Sequence, residues 1–251
     1  MNKKPLIIAH RGANREAPEN TLSAFQKAKE LGADGVELDV MPSKDKVLVV
    51  THDETLHRLS GVHGWVKHHT LQELKKMDFG SHFSPQFSGE KIPTLEEVFD
   101  LLKHDMIINI EIKGTNLRND GREEKLVSLI RKWNLVDQVV VSSFNIFALH
   151  RMEQIAPEIK RGYLFFEKQW GLSRRAGWAF YFHPFSLHLS QALVKNGTLQ
   201  KYHQKGYQCW VWTVDEEEES KKLMEQGADA IITDEPAKLL NWRSRYAAKF
   251  S

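Results

Sequence analysis

The chain has 251 residues, 41% of them apolar and 27% charged, with a formal net charge of +2. That apolar share excludes wholesale disorder, and the near-balance of charge excludes the concentrated basic face of an electrostatic nucleic-acid binder. Cys209 is the only cysteine, which excludes intrachain disulfides and cysteine-based zinc clusters.

The first residues, "MNKKPLIIAHRG", hold an apolar run too brief for a signal peptide and without a cleavage-site pattern, better used as a first strand. No segment approaches the roughly 18 uninterrupted apolar residues of a membrane span, so a soluble, cytoplasmic protein without stable membrane insertion is expected. Strand-like runs then follow in order: "LIIA" (6–9), "GVELDV" (35–40), "VLVVTH" (47–52), "MIINIEI" (106–112) and "QVVVSS" (138–143). "RGYLFF" (161–166), "AFYFH" (179–183), "QCWVWTV" (208–214) and "AIIT" (230–233) complete the set. Helical periodicity fills most of the gaps, as in "TLSAFQKAKEL" (21–31), "EEKLVSLIRKW" (123–133) and "SQALVKNGTLQKYHQK" (190–205). This alternation predicts a parallel sheet covered by helices.

"LGADGVELDV" (31–40) and "QGADAIITDEP" (226–236) share a helix end, Gly-Ala-Asp and a strand, with Gly32 and Gly227 placed to terminate helices. The echo near both ends favours a closed repeating barrel. A doubly wound sheet is the rival, but the first turn, "HRGANREAPENT", lacks its G-x-G-x-x-G phosphate fingerprint. Nine candidate strands compete for eight barrel positions, and residues 36–40 and 47–52 have no helix between them, so one of that pair is expected to be irregular or only partly in the barrel. Residues 53–92, rich in His, Gly and Phe, read as an insertion over one end, and 1–251 is expected to be a single domain around it.

Polar residues mark the strands. "GVELDV" sets Glu37 and Asp39 on one face, and "NIEIKG" does the same with Glu111 and Lys113. Adjacent buried carboxylates lose several kcal/mol of hydration per ion unless compensated. Alternation with Val36, Leu38 and Val40 is also what a half-exposed strand with solvated charges shows. Yet His10, Glu37/Asp39, His52 and Glu111/Lys113 all fall at or near the ends of four strands, and in a parallel barrel those ends carry the chemistry. Three carboxylates without cysteine describe a hard-cation site for Mg²⁺ or Ca²⁺, with zinc through the histidines as the alternative. Three carboxylates, a divalent ion, Arg11 and Lys113 leave one positive charge, which a phosphodiester neutralises. Arg11 offers a fork of donors and Lys113 a point charge. His10 and His52 supply groups that titrate near neutrality for proton transfer. Of the other histidines, His57, His63, His68, His69 and His82 read as loop surface, and His104, His150, His183, His188 and His203 as helix-face or packing residues.

Taken together, "HRG…PENT", "GADGVELDV", "THD", "IPTLEEV", "NIEIKG" and "VWTVD", in this order from His10 to Pro236, resemble the glycerophosphodiester phosphodiesterase family. The resemblance implies a TIM (β/α)8 barrel with a small insertion after the third strand. It implies hydrolysis of small glycerophosphodiesters to glycerol 3-phosphate and an alcohol with Ca²⁺ or Mg²⁺. By motif, Glu37, Asp39 and Glu111 would hold the metal, His10 and His52 would be the acid/base pair, Arg11 and Lys113 would hold phosphate oxygens, and Trp212 would wall the glycerol or leaving group. Glu19 and Asn20 would brace the site or start the next helix, which Thr21 would cap. Members commonly carry Asp-Gly after the metal strand, where this chain has Lys46; Gly tolerates positive φ and Lys resists it, so the geometry of this loop is left open.

Within the superfamily, lysophospholipase D-like or phospholipase C-like action on lipids is the rival, and "WGLSRRAGWAFYF" (170–182), with Arg174 and Arg175 among aromatics, is the segment that would meet a lipid surface. A buried strand behind a helix is its plainer reading. A barrel that binds phosphodiesters without turnover, and a structural interaction protein, are rivals of other classes. "NWRSRYAAKF" reads as a solvated helical tail, with homo-oligomer assembly as its alternative use.

Overall fold

The computed structural model describes residues 4–103, 105–114, 120–166 and 183–248. Nine strands are present among them: β1 (Leu6–His10), β2 (Gly35–Pro42), β3 (Leu48–Val50), β4 (Ile107–Ile112), β5 (Val139–Ser143), β6 (Lys160–Phe165), β7 (Ser186–Ser190), β8 (Gln208–Trp212) and β9 (Ala230–Thr233). Their order is β1-β9-β8-β7-β6-β5-β4-β2-β3, and a further β1–β2 pairing closes the ring. Every pairing is parallel except β2–β3. The result is a closed, eight-stranded parallel barrel, with β3 an antiparallel partner of β2 outside it. That settles the strand surplus in the sequence.

The helices are α1 (Leu22–Glu30), α2 (His57–Ser60), α3 (Leu71–Leu74), α4 (Leu95–Leu102), α5 (Arg122–Lys132), α6 (Ile146–Ile155), α7 (Thr198–His203), α8 (Glu217–Glu225) and α9 (Pro236–Ala248). None among the described residues is long and apolar enough to cross a membrane. Their starts follow local chemistry. Thr21 caps α1 by accepting from the Ala24 amide, and Thr94 and Glu97 form a reciprocal capping box on α4. Leu95, Val98, Phe99 and Leu102 recur at helical spacing and are buried. They pack against Val36, Leu38 and Val40, the outward side of β2. The half-exposed strand is therefore excluded: every residue of β2 is buried on both faces. Inside the ring, Ile8, Val140, Trp210, Ala230 and Ile232 fill the interior.

One strand is absent from the sequence candidates. The candidate at 179–183 lies, but for His183, outside the described residues, whereas β7 is "SLHLS" at 186–190. The helix read over 190–205 reduces to a 3₁₀ turn at Gln191–Leu193 and α7. The inward positions of β7 are Ser186 and His188, where Ser186 Oγ meets His188 Nε2 at 2.9 Å. A polar interior hides a strand from a search for apolar runs.

The insertion between β3 and α4 has its own apolar centre of Leu56, Leu59, Val66, Leu74, Phe79 and Ile92 against Met41 and Val49. Asp78 fastens its far end by accepting from the amides of Gly80, Ser81 and Gly89 at 2.8–2.9 Å. The β2–β3 turn keeps a left-handed residue despite its sequence: Lys46 has φ 63°, held by its amide on Ser43 O (3.0 Å). A non-glycine residue there costs about 1 kcal/mol.

The turn after β1 is more demanding. Gly12 has φ 80°, and an added Cβ would lie 2.7 Å from the Ala24 carbonyl carbon of α1. Both the backbone angle and the contact require glycine. Gly12→Ala is expected to destabilise the fold by about 2 kcal/mol or more, read as a lower midpoint in urea denaturation at unchanged slope.

Candidate active site

Parallel register sets the site. His10 on β1 lies beside Glu37 on β2, Glu37 beside Asn109 on β4, and Asp39 beside Glu111. Strand alternation turns all of these inward, and the relative exposures of Glu37, Asp39 and Glu111 are 4%, 1% and 8%. One carboxylate oxygen from each lies within 4.8 Å of the other two. Oxygen ligands on opposite sides of Ca²⁺ stand about 5 Å apart, so a single hard cation fits this spacing.

The surrounding groups show how much positive charge the trio requires. Lys113 Nζ lies 3.1 Å from Asp39 Oδ1 and 2.9 Å from Glu111 Oε1. Arg11 donates its amide to Glu37 Oε2 (3.2 Å), and its Nε lies 3.6 Å from Asp39 Oδ2. Asn20 clamps Asp39 twice: its Nδ2 donates to Oδ2 at 2.8 Å, and its Oδ1 accepts from the Asp39 amide at 3.3 Å. Burial opposes ionisation of Asp39, but Lys113, Arg11 and these hydrogen bonds hold its carboxyl well below the usual range. Burial and then the Asp39 charge push Glu37 up, and burial pushes Glu111 up against the pull of Lys113. Two of the three acids thus remain short of compensation from the protein alone. A divalent cation is the group that this donor set suits.

Two histidines face the same space. His10 Nδ1 is 2.6 Å from Asp234 Oδ1, and its Nε2 is 3.8 Å from Glu37 Oε2. His52 Nδ1 is 2.7 Å from Asp53 Oδ1. Each ring is therefore oriented through Nδ1 by a carboxylate. Desolvation would lower the His10 pKa, but the Asp234 hydrogen bond and Glu37 raise it. Desolvation lowers that of His52, with Lys113 and Arg11 adding to the fall against Asp39 and Asp53.

A cavity of about 260 Å³ is lined by both histidines, Arg11, Glu37, Glu111, Lys113 and, on its apolar side, Phe144, Leu164 and Trp212. Trp212 is fixed by its Nε1 donating to His188 O (3.0 Å) and by an edge contact with Phe144, centroids 5.7 Å apart. All eight residues singled out in the sequence thus converge on one rim. Asp234, Asn14, Arg58 and Asn109 escaped that reading. Asn14 Nδ2 donates to Asp234, and Asn109, 1% exposed, presents an Oδ1 without a hydrogen-bond partner among the described residues. The position of Asp234 just after β9, at the rim, was its available signal.

The geometry is that of a TIM barrel whose rim carries a buried carboxylate trio able to hold a cation, and comparison with known proteins gives the lineage. Residues 10–238 match the glycerophosphoryl diester phosphodiesterase family, and the chain belongs to it. It is 43% identical over 242 residues to a glycerophosphodiester phosphodiesterase of Caldanaerobacter subterraneus subsp. tengcongensis, covering 95% of this chain and 97% of that one. A solved phosphodiesterase of Oleispira antarctica, in complex with the product sn-glycerol-3-phosphate, superposes with a TM-score of 0.86 at 32% identity, covering 96% of this chain and 97% of that one. Human lysophospholipase D GDPD1 is 28% identical over 276 residues, covering 96% of this chain and 87% of that protein. The chain is an enzyme of the phosphoric diester hydrolase class.

Arg58, from α2, links the insertion to the site. It donates to both oxygens of Glu19 at 2.8 Å and to Asp53 Oδ2 at 2.5 Å, while Arg11 Nη1 reaches Glu19 Oε1 at 2.8 Å. Despite burial, the arginines hold Glu19 below its usual range, and Arg58 and His52 bring Asp53 down to about 2. The unfolded chain binds more protons in acid, so the stability from these pairs is present above the ordinary carboxylate range and lost as pH falls through it towards about 2. Arg58→Met is expected to flatten the acid limb of thermal midpoint against pH, with the two proteins converging at the acid end.

Proposed function

We propose that the chain hydrolyses small glycerophosphodiesters to glycerol 3-phosphate and an alcohol in this rim cavity. The observation carrying the reading is the pair of imidazoles, each tied through Nδ1 to a carboxylate and each lining the cavity beside the acidic trio. Held this way, a ring keeps Nε2 for the reacting oxygens. One takes the proton of the attacking water or glycerol hydroxyl, and the other gives a proton to the departing alcohol. Glu37, Asp39 and Glu111 are assigned as ligands of one Mg²⁺ or Ca²⁺, which when bound supplies Lewis-acid polarisation of the phosphoryl group. Arg11 and Lys113 are assigned the non-bridging phosphate oxygens, Arg11 as a fork and Lys113 as a point charge. Trp212, with Phe144, is assigned the carbon skeleton beside the reacting phosphorus. Similarity to the Oleispira phosphodiesterase with its bound product supports glycerol 3-phosphate as the product here. We further assign the chain as a single barrel domain acting in the cytoplasm without nucleic-acid partners; the lipid-facing alternative rested on Arg174 and Arg175, which lie outside the described residues.

His10→Ala and His52→Ala are each expected to lower turnover of glycerophosphocholine by about 10²- to 10⁴-fold; near wild-type turnover in either would remove that residue from the mechanism. Exhaustive EDTA treatment is expected to abolish activity, with Mg²⁺ or Ca²⁺ restoring it. Full activity after chelation would defeat the metal assignment. Release of free choline measures both. Lysophosphatidylcholine, run alongside, is expected to be the poorer substrate.

A further inference from the structure

A second cavity, of about 190 Å³, adjoins the catalytic one and shares only Lys113 with its lining. Its walls come from the β2–β3 turn (Ser43, Lys44, Lys46), the insertion (Glu54, Lys67) and the start of α5 (Asp120, Arg122). The local acids are largely spoken for. Asp45, which alternates with the two turn lysines, accepts from Ser43 Oγ (2.6 Å) and from the Leu71 amide (3.0 Å). Asp120 is forked by Arg122, Nε at 2.8 Å and Nη2 at 2.5 Å. Arg122 also donates to the Lys113 carbonyl, tying this wall to the strand end that carries the proposed phosphate contact. Glu54 is then the one lining carboxylate not held in such a bond, Asp120 and Glu73 act on Lys46 and Lys44 only at longer range, and no salt bridge joins Lys44, Lys46 or Lys67 among the described residues. Lys67 Nζ is steadied 5.0 Å above the Trp65 ring.

We propose that this pocket is a subsite for a second anionic group, so that the preferred substrate is a glycerophosphodiester carrying a further phosphate on its alcohol arm. The inference rests on the reaction proposed above. A recess whose ammonium groups outnumber its free carboxylates concentrates a dianion and disfavours a cationic headgroup. Lys113 stands at the junction: the reacting phosphoryl group sits on it, the neutral glycerol lies along Phe144 and Trp212, and the charged arm extends among the lysines.

The test compares wild type with a Lys44→Gln, Lys46→Gln, Lys67→Gln triple variant on glycerophosphocholine and on glycerophosphoglycerol bearing a terminal phosphate. The variant is expected to lose about tenfold more kcat/KM on the phosphorylated diester than on glycerophosphocholine, and added salt is expected to shrink the wild-type preference. Equal losses on the two substrates, or none, would overturn the subsite. Calorimetric titration with glycerol 1,3-bisphosphate and glycerol 3-phosphate reads the pocket without turnover. The wild type is expected to bind the bisphosphate about tenfold more tightly, and the variant to lose that difference. Loss of the difference in a protein that cleaves no diester would overturn the reaction and keep the pocket; an unchanged difference would overturn the pocket. Inorganic phosphate bound as tightly as the bisphosphate, and weakened alike by the variant, would mark a free-anion site and overturn the substrate assignment.

Discussion

Three carboxyl groups held within reach of one another, away from water, are the constraint on which this rim depends. Each buried carboxylate alone costs several kcal/mol, and the parallel register of β2 and β4 leaves them no room to separate. The neighbouring elements supply the compensation. The β1–α1 turn brings Arg11 and Asn20, both at positive φ, onto the trio. The end of β4 extends to Lys113. The deficit that remains at Glu37 and Glu111 suits the cluster to a cation.

The barrel and its insertion divide the work. Strands fix the acids with the rigidity of a hydrogen-bonded ring, whereas the second imidazole sits just beyond β3, where the chain enters the insertion. Its orientation depends on Asp53, whose other oxygen is held by Arg58 from the insertion. The apolar centre around Leu56, Leu59 and Phe79 therefore supports the orientation of the His52 ring as well as local folding.

Much of this was legible in the sequence, for identifiable reasons. Glu-x-Asp and Glu-x-Lys in apolar strands violate the burial rule so strongly that they point to a site, and the order of six motifs fixes the family. Strand-helix alternation pointed to a parallel sheet covered by helices, the Gly-Ala-Asp echo favoured its closure, and the family resemblance implied the TIM barrel. β7 was missed because its inward-facing Ser186 and His188 are themselves polar, which erases the apolar run. Asp234 was missed because its relation to His10 is purely spatial, and the geometry at Lys46 stayed open because residue type alone does not show that Ser43 holds the turn through the Lys46 and Val47 amides. Pair geometry of this kind has no periodicity to betray it.

The bond from Asp234 to His10 spans nearly the whole chain, since it joins the residue after the last strand to the end of the first. β9 must dock on β1 before that imidazole acquires its anchor. Orientation of the His10 ring is thereby made conditional on ring completion. A nascent or partly opened barrel can hold its acids in register between β2 and β4 while this imidazole is still unanchored, so the anchor reports closure of the ring.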